Sequence, residues 1–287
     1  MQKLLLDCFA KTKIRFYAII TNKQKRLLLF LELMNFLRIP FLLIWRLWFY
    51  ILMFTTIILM VPFLLILTYK ESYYHLLWKL IRIWSKVLIY GMGFRLSVQL
   101  YQEIDANTSY MFCPNHSSLM DPFVLILLSK NPIVFVGKQE LVKIPIFGFF
   151  YKRAVIMVDR GNPKSRKRVY ERAKKRLQNG VSMAIFPEGL VPSEDVILAP
   201  FKNGAFSLAI EFDMPIVPQI YFDCKRLFSW DFLKGGPGVF RVHQHLFIET
   251  KELKMDNLNL LKQQTFDLIY NDLSTDVKYM KDTQRNQ

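Results

Sequence analysis

From Leu47 to Tyr69 the chain runs for 23 residues without a charge, between Arg46 and Lys70. As a helix rising about 1.5 Å per residue, this stretch is roughly 34 Å long, enough to cross the hydrocarbon of a bilayer. Trp48 and Tyr50 at one end, and Tyr69, Tyr73 and Tyr74 at the other, have the character of interfacial anchors. Pro62 allows a kink, so both a spanning and a re-entrant path fit the pattern. Arg38 and Arg46 on one side and Lys70 on the other leave only a weak charge asymmetry for orientation.

The composition limits what surrounds this segment. The 287 residues are 52% apolar and 15% aromatic, with mean hydropathy +0.19, which excludes a disordered chain. Charged residues make up 22%, too many for a protein of repeated membrane spans. The expected organisation is one α/β domain with a membrane-attached helical segment before it. The formal net charge of +16 suits either nucleic acid or an anionic membrane surface, and the uncharged stretch favours the membrane. Three cysteines, Cys8, Cys113 and Cys224, form no disulfide framework and suit a reducing compartment.

Residues 1–33 form a basic leader, with seven Lys or Arg against Asp7 and Glu32 and no signal-peptide cleavage pattern. Translation starting at Met34 is the alternative reading of this region. Residues 34–93 are the membrane-associated segment. Within it Leu76, Leu77, Leu80, Ile81, Trp84, Val87 and Leu88 recur at three and four, with Lys79, Arg82 and Lys86 on the other side. This spacing predicts an amphipathic helix, either lying in an anionic interface or packed on the domain core.

After Gly93 the pattern changes to short apolar runs alternating with helical ones. Strands are predicted at 95–100, 110–113, 133–137, 154–158, 182–186, 216–221 and 239–247, with helices at 122–128, 163–178, 204–212 and 258–273. Such alternation predicts an α/β domain over 94–273, its mixed or mostly parallel sheet flanked by helices, followed by a polar tail at 274–287.

Four blocks carry candidate chemistry. Cys113-Pro114-Asn115-His116-Ser117-Ser118-Leu119-Met120-Asp121-Pro122 puts a histidine in the turn after a strand, where reacting groups of α/β folds commonly sit. On a straight helix His116 and Asp121 would point about 140° apart, so they pair only across a turn. A carboxylate on one imidazole nitrogen fixes the tautomer and frees the other nitrogen as a base. A second block, Phe186-Pro187-Glu188-Gly189, also ends an apolar strand. The third ends in Asp159-Arg160, and an arginine there suits a phosphate. The fourth comprises Phe201-Lys202-Asn203-Gly204 and then Pro215-Ile216-Val217-Pro218.

In this order the blocks resemble the glycerolipid acyltransferase family typified by 1-acylglycerol-3-phosphate acyltransferases, over roughly residues 70–250. The resemblance implies that His116 is the general base and Asp121 its orienting partner. It implies that Glu188 and Gly189 position the acceptor, and that Arg160, helped by Lys138 and Lys202, binds its phosphate. His116 would take the proton from the acceptor hydroxyl as that oxygen attacks a fatty acyl thioester of coenzyme A or acyl carrier protein. No covalent acyl-enzyme, metal or cofactor is implied. The product would be phosphatidic acid, made at an inner or cytoplasmic membrane with the catalytic domain facing the cytoplasm.

The chain departs from the family pattern at two places. Leu190-Val191-Pro192 follows Gly189 where many members have Thr-Arg, and Arg153-Ala154 stand where a small glycine is common. The first departure keeps open another lysolipid acceptor, such as an acyl-amino-acid lipid. A catalytically silent, membrane-anchored basic adaptor is the reading from another class, and intact His116, Asp121 and Glu188 oppose it. His243 and His245 face one way on a strand but lack a third ligand nearby in sequence, so a strand surface is the expected reading. The helix from Arg160 to Arg176 carries nine Lys or Arg and one Glu. Beside a membrane segment, anionic lipid head groups are its expected partner rather than nucleic acid.

Overall fold

The computed structural model describes residues 36–144, 147–158 and 163–284, with backbone alone for Lys138, Phe147 and residues 163–168. Arg160 and the leader at 1–33 lie outside the described residues. The chain divides into two compact units, Met1–Leu47 and Trp48–Gln287. Helix α1, Phe36–Leu67, is the one described helix long and apolar enough to cross a membrane, and only 6% of its most apolar window is buried. A core helix of a soluble domain would be largely covered; this one leaves Phe54, Ile58, Leu59, Phe63 and Ile66 exposed.

Helix α2, Tyr74–Gly91, packs back along α1 at Trp48, Leu52 and Thr56. Trp48 Nε1 donates to Gly91 O at 2.9 Å, and Trp84 Nε1 to Thr56 Oγ1 at 2.9 Å. Gly91 permits this approach, because a Cβ there would stand 2.8 Å from Leu52 Cδ2. One face of α2 packs on the protein, and the other is left exposed. Leu77, Trp78, Leu88 and Ile89 are buried, while Leu76, Ile83, Val87 and Tyr90 stay exposed beside Lys79 and Lys86.

The domain is a seven-stranded sheet in the order β1-β7-β6-β2-β5-β3-β4. Its strands are β1 Phe94–Leu100, β2 Met111–Pro114, β3 Ile133–Lys138, β4 Ile156–Val158, β5 Ser182–Ala184, β6 Ile216–Tyr221 and β7 Gly238–Gln244. Strands β6, β2, β5, β3 and β4 run parallel, β7 is antiparallel to β6, and β1 is parallel to β7. The sheet is therefore mixed, as its sequence pattern predicts. Central strands β2, β5 and β6 are buried throughout and, apart from Ser182 and Gln219, read as apolar runs, as strands covered on both faces do.

Helices α3 (Asp121–Leu128), α4 (Phe147–Ala154), α5 (Pro163–Leu177) and α6 (Gly204–Glu211) are crossovers between parallel strands, and the short α7 (Cys224–Leu227) follows β6. The long α8, Leu258–Thr275, lies against β6 and α6 through Leu261, Ile269 and Leu273. The expected polar tail is corrected by the structure. Helix α9, Val277–Gln284, buries Tyr279 and Thr283 one turn apart, and Tyr279 Oη donates to Ile197 O at 2.8 Å. Two anchoring residues on one face suffice to dock a helix that is otherwise polar, so its apolar periodicity is too sparse to read.

Candidate active site

All parallel strands end on one edge of the sheet, and the turns leaving that edge hold the site. Pro114 closes β2, and the four residues after it form a turn rather than a helix. His116 Nδ1 thereby comes within 2.9 Å of Asp121 Oδ2 at the start of α3. The same carboxylate oxygen accepts the backbone N–H groups of Ser117 at 2.6 Å and Ser118 at 2.8 Å. Asp121 has no exposure, whereas the His116 side chain is 21% exposed. A buried carboxylate oxygen that accepts three donors is fixed in place, and it sets the imidazole with its proton on Nδ1 and the Nε2 lone pair outward.

Glu188, four residues beyond β5, braces this turn. Its Oε1 accepts the backbone N–H of His116 at 2.6 Å, and its Oε2 that of Ala199 at 2.8 Å. Burial raises its carboxyl from 4.5 to about 7, against the pull of those two N–H donors. Both of its oxygens are thus taken up by protein, and its position makes it a clamp on the His116 backbone. Gly189, at φ +73°, turns the chain directly afterwards in a region that favours glycine. Phe186 stacks on the His116 ring, with centroids 4.1 Å apart and planes 24° from parallel.

Sequence reading missed several supports. Asn115 accepts the Tyr221 N–H at 2.7 Å and donates to the Tyr221 carbonyl at 3.2 Å, locking the β2 turn to the end of β6. Ser118 Oγ donates to Phe228 O at 2.8 Å. Lys225 Nζ reaches Val196 O at 2.8 Å, and burial lowers its amine to about 8 against the attraction of Glu194, Glu188 and Asp195. Only Asn115 had a signal, its place beside His116; the partners of the others are remote in sequence.

The cations expected to hold a phosphate are distributed unevenly. Lys202 is exposed, and its backbone N–H donates to Pro187 O at 2.8 Å, which ties it to the Glu188 turn. Lys138 ends β3 on the same sheet edge, with its side chain outside the described residues, as is all of Arg160. Neither cysteine among the described residues is a candidate nucleophile. Both Cys113 and Cys224 are fully buried, and burial raises both thiols, in Cys224 reinforced by the adjacent Asp121.

Residues 95–221 match the Acyltransferase family model. The chain is 30% identical over 160 residues to the chloroplastic 1-acyl-sn-glycerol-3-phosphate acyltransferase BAT2 of Brassica napus, covering 55% of this chain and 45% of that one. It is 26% identical over 203 residues to the 1-acyl-sn-glycerol-3-phosphate acyltransferase of Limnanthes alba, covering 70% and 71%. The match spans about half the length of several of these curated relatives. The fold is shared with the crystal structure of the 1-acyl-sn-glycerophosphate acyltransferase PlsC from Thermotoga maritima. That comparison has a TM-score of 0.67 at 19% identity, covering 84% of this chain and 98% of the other. Residues 95–221, which match the Acyltransferase model, hold His116, Asp121 and Glu188 in the geometry described, and the chain is similar over part of its length to 1-acyl-sn-glycerol-3-phosphate acyltransferases.

Proposed function

We propose that the protein is a membrane-bound O-acyltransferase that moves a fatty acyl group from an acyl thioester to the free hydroxyl of 1-acyl-glycerol-3-phosphate, giving phosphatidic acid. The observation that carries this reading is the His116–Asp121 pair, with Nδ1 tied to a buried carboxylate at 2.9 Å. His116 Nε2 accepts the hydroxyl proton as the acceptor oxygen attacks the thioester carbonyl. Collapse of the tetrahedral adduct expels the thiolate, which takes that proton from the imidazolium. Asp121 stabilises the transient positive charge without itself accepting a proton. Base assistance of this kind contributes typically about 10²–10⁴-fold, and positioning of the two substrates supplies the rest.

The donor is acyl-CoA or the acylated acyl carrier protein. Both are water-soluble thioesters of the cytoplasm, so the domain faces that side. Helix α1 and the exposed apolar stripe of α2 hold the domain at the bilayer, where acceptor and product both reside. The cations of α5 add attraction to anionic lipids. Lys202, Lys138 and Arg160 are the proposed partners of the acceptor phosphate.

A second acceptor class is favoured by one observation. Leu190 and Val191 follow Gly189, and Leu190 is 43% exposed, so an apolar surface stands where a hydroxyl and a cation would serve a phosphate. Purified protein in detergent, supplied with each thioester, should acylate lysophosphatidic acid in preference to phosphate-free lysolipids. Preference for phosphate-free acceptors would assign the second class, and no transfer to either would support the silent adaptor.

A further inference from the structure

His243 and His245 leave β7 and its continuation on one face, and the third ligand that their sequence neighbourhood lacks arrives from α8. Asp272 Oδ2 lies 2.9 Å from His243 Nδ1 and 2.9 Å from His245 Nε2. Among the described residues these three form the one group of His, Cys, Asp and Glu with the spacing of a metal site, all donor atoms lying within 4.8 Å of one another. We propose that this cluster binds a divalent transition-metal ion of the zinc class.

The geometry is close to what such an ion requires. Two ligands at about 2.0–2.1 Å in tetrahedral array stand roughly 3.3 Å apart, so both His–Asp spacings need only slight opening. The two imidazole nitrogens need a modest inward rotation. Each neutral ring moves its proton to its other nitrogen, freeing the lone pair that now faces Asp272. The rings are already oriented by aromatic neighbours. Tyr101 stacks on His245 with centroids 4.7 Å apart, and Phe222 meets His243 edge-on at 4.7 Å. Arg241, the one cation on β7, is occupied by Asp223 at 2.7 Å and Asp276 at 2.6 Å. Asp272 is thereby left to the imidazoles.

Two imidazoles and one carboxylate select zinc, cobalt or nickel over magnesium or calcium, which prefer oxygen alone. All three side chains are part-exposed, so water fills the fourth position. The ion would fasten α8 to the sheet. The same end of α8 continues into α9, whose Tyr279 holds the Ile197 carbonyl near the Ala199–Glu188 contact. The site is structural, separate from His116, and independent of which lipid is acylated.

The test is thermal unfolding of tag-free, chelator-stripped full-length protein in detergent, with graded Zn²⁺ and with Mg²⁺ as control. Saturating Zn²⁺ should raise the midpoint by roughly 3–8 °C. Mg²⁺ should not, and one zinc per chain should survive dialysis. His245→Ala and Asp272→Asn should each abolish both the shift and the retained zinc. No shift in the wild type, or an equal shift in both variants, would overturn the site. If the variants fail to fold, Co²⁺ added to the wild-type protein decides: the visible absorption of tetrahedral nitrogen and oxygen coordination supports the site, and its absence rejects it.

Discussion

Asp121 Oδ2 receives His116 Nδ1 at 2.9 Å while also capping the N–H groups of the two residues between them nearest His116, Ser117 and Ser118. One oxygen thus builds the turn and aims the base. The arrangement explains how residues five apart in sequence, which a helix would separate, act together.

Asp121→Asn should separate these duties. The two serine N–H groups keep the amide oxygen where Oδ2 lies, so the turn and the Nδ1–H tautomer survive. The negative charge opposite the developing imidazolium does not. We expect kcat/KM to fall by about 10²-fold or more with acceptor KM little changed. Steady-state kinetics on the two proteins, with far-ultraviolet dichroism to confirm the fold, is the check.

Glu188 makes stability depend on pH in an unusual direction. Its folded carboxyl, at about 7, binds a proton more tightly than the ordinary value of 4.5. The folded form is therefore favoured by this group below about pH 4.5, and that contribution is lost as pH rises through about 7. The loss is on the order of 3 kcal/mol. The unfolding midpoint should fall between pH 5 and 7.5 more steeply in the wild type than in Glu188→Gln. The variant should also lower the midpoint throughout, because one of two buried N–H groups faces an amide NH₂ instead of an acceptor, at a cost of about 1–3 kcal/mol.

Asp223 ties the last helices to the sheet, with Arg226 at 2.7 Å, Arg241 at 2.7 Å and Lys278 at 3.2 Å around it. Burial alone would raise its carboxyl, but the hydrogen bonds from Arg241 and Arg226 hold it at about 2. Asp223→Asn leaves three cations without their shared anion, and chemical denaturation should show a loss of about 3 kcal/mol.

The exposed stripe on α2 should strengthen the membrane attachment made by α1. Ile83→Asp combined with Val87→Asp touches no buried contact, so the unfolding midpoint should move little. Partitioning onto vesicles containing anionic lipid should fall by about tenfold or more. Raising the salt concentration should weaken binding of both proteins, through the lysines beside the stripe and the cationic α5.

The central strands β2, β5 and β6 were legible in the sequence as short, largely apolar runs, because a strand buried on both faces needs no alternation, whereas β1 and β7 were legible by alternation. The His116–Asp121 pairing was legible for a similar local reason: Asn-His-Ser-Ser favours a turn. Contacts across long loops were not. Asn115 meets Tyr221 at a separation of 106 residues, and nothing local marks either as the other's partner. Asp272 reads as one more polar residue on a helix until the fold brings it to His243 and His245. Glu188 illustrates a subtler limit. Its block marks it as important, but only the fold shows both oxygens occupied by backbone N–H groups, so that it shapes the site by holding His116.

On this reading His116 is the base for acyl transfer. Its most direct measurement is the rate of thioester-dependent acylation of lysophosphatidic acid by His116→Ala beside the wild type, in the same detergent and at matched unfolding midpoints. The wild type should transfer the acyl group, and the variant should lose about 10²–10⁴-fold or more in kcat while still binding the thioester. A variant that turns over within a few-fold of the wild type would contradict it.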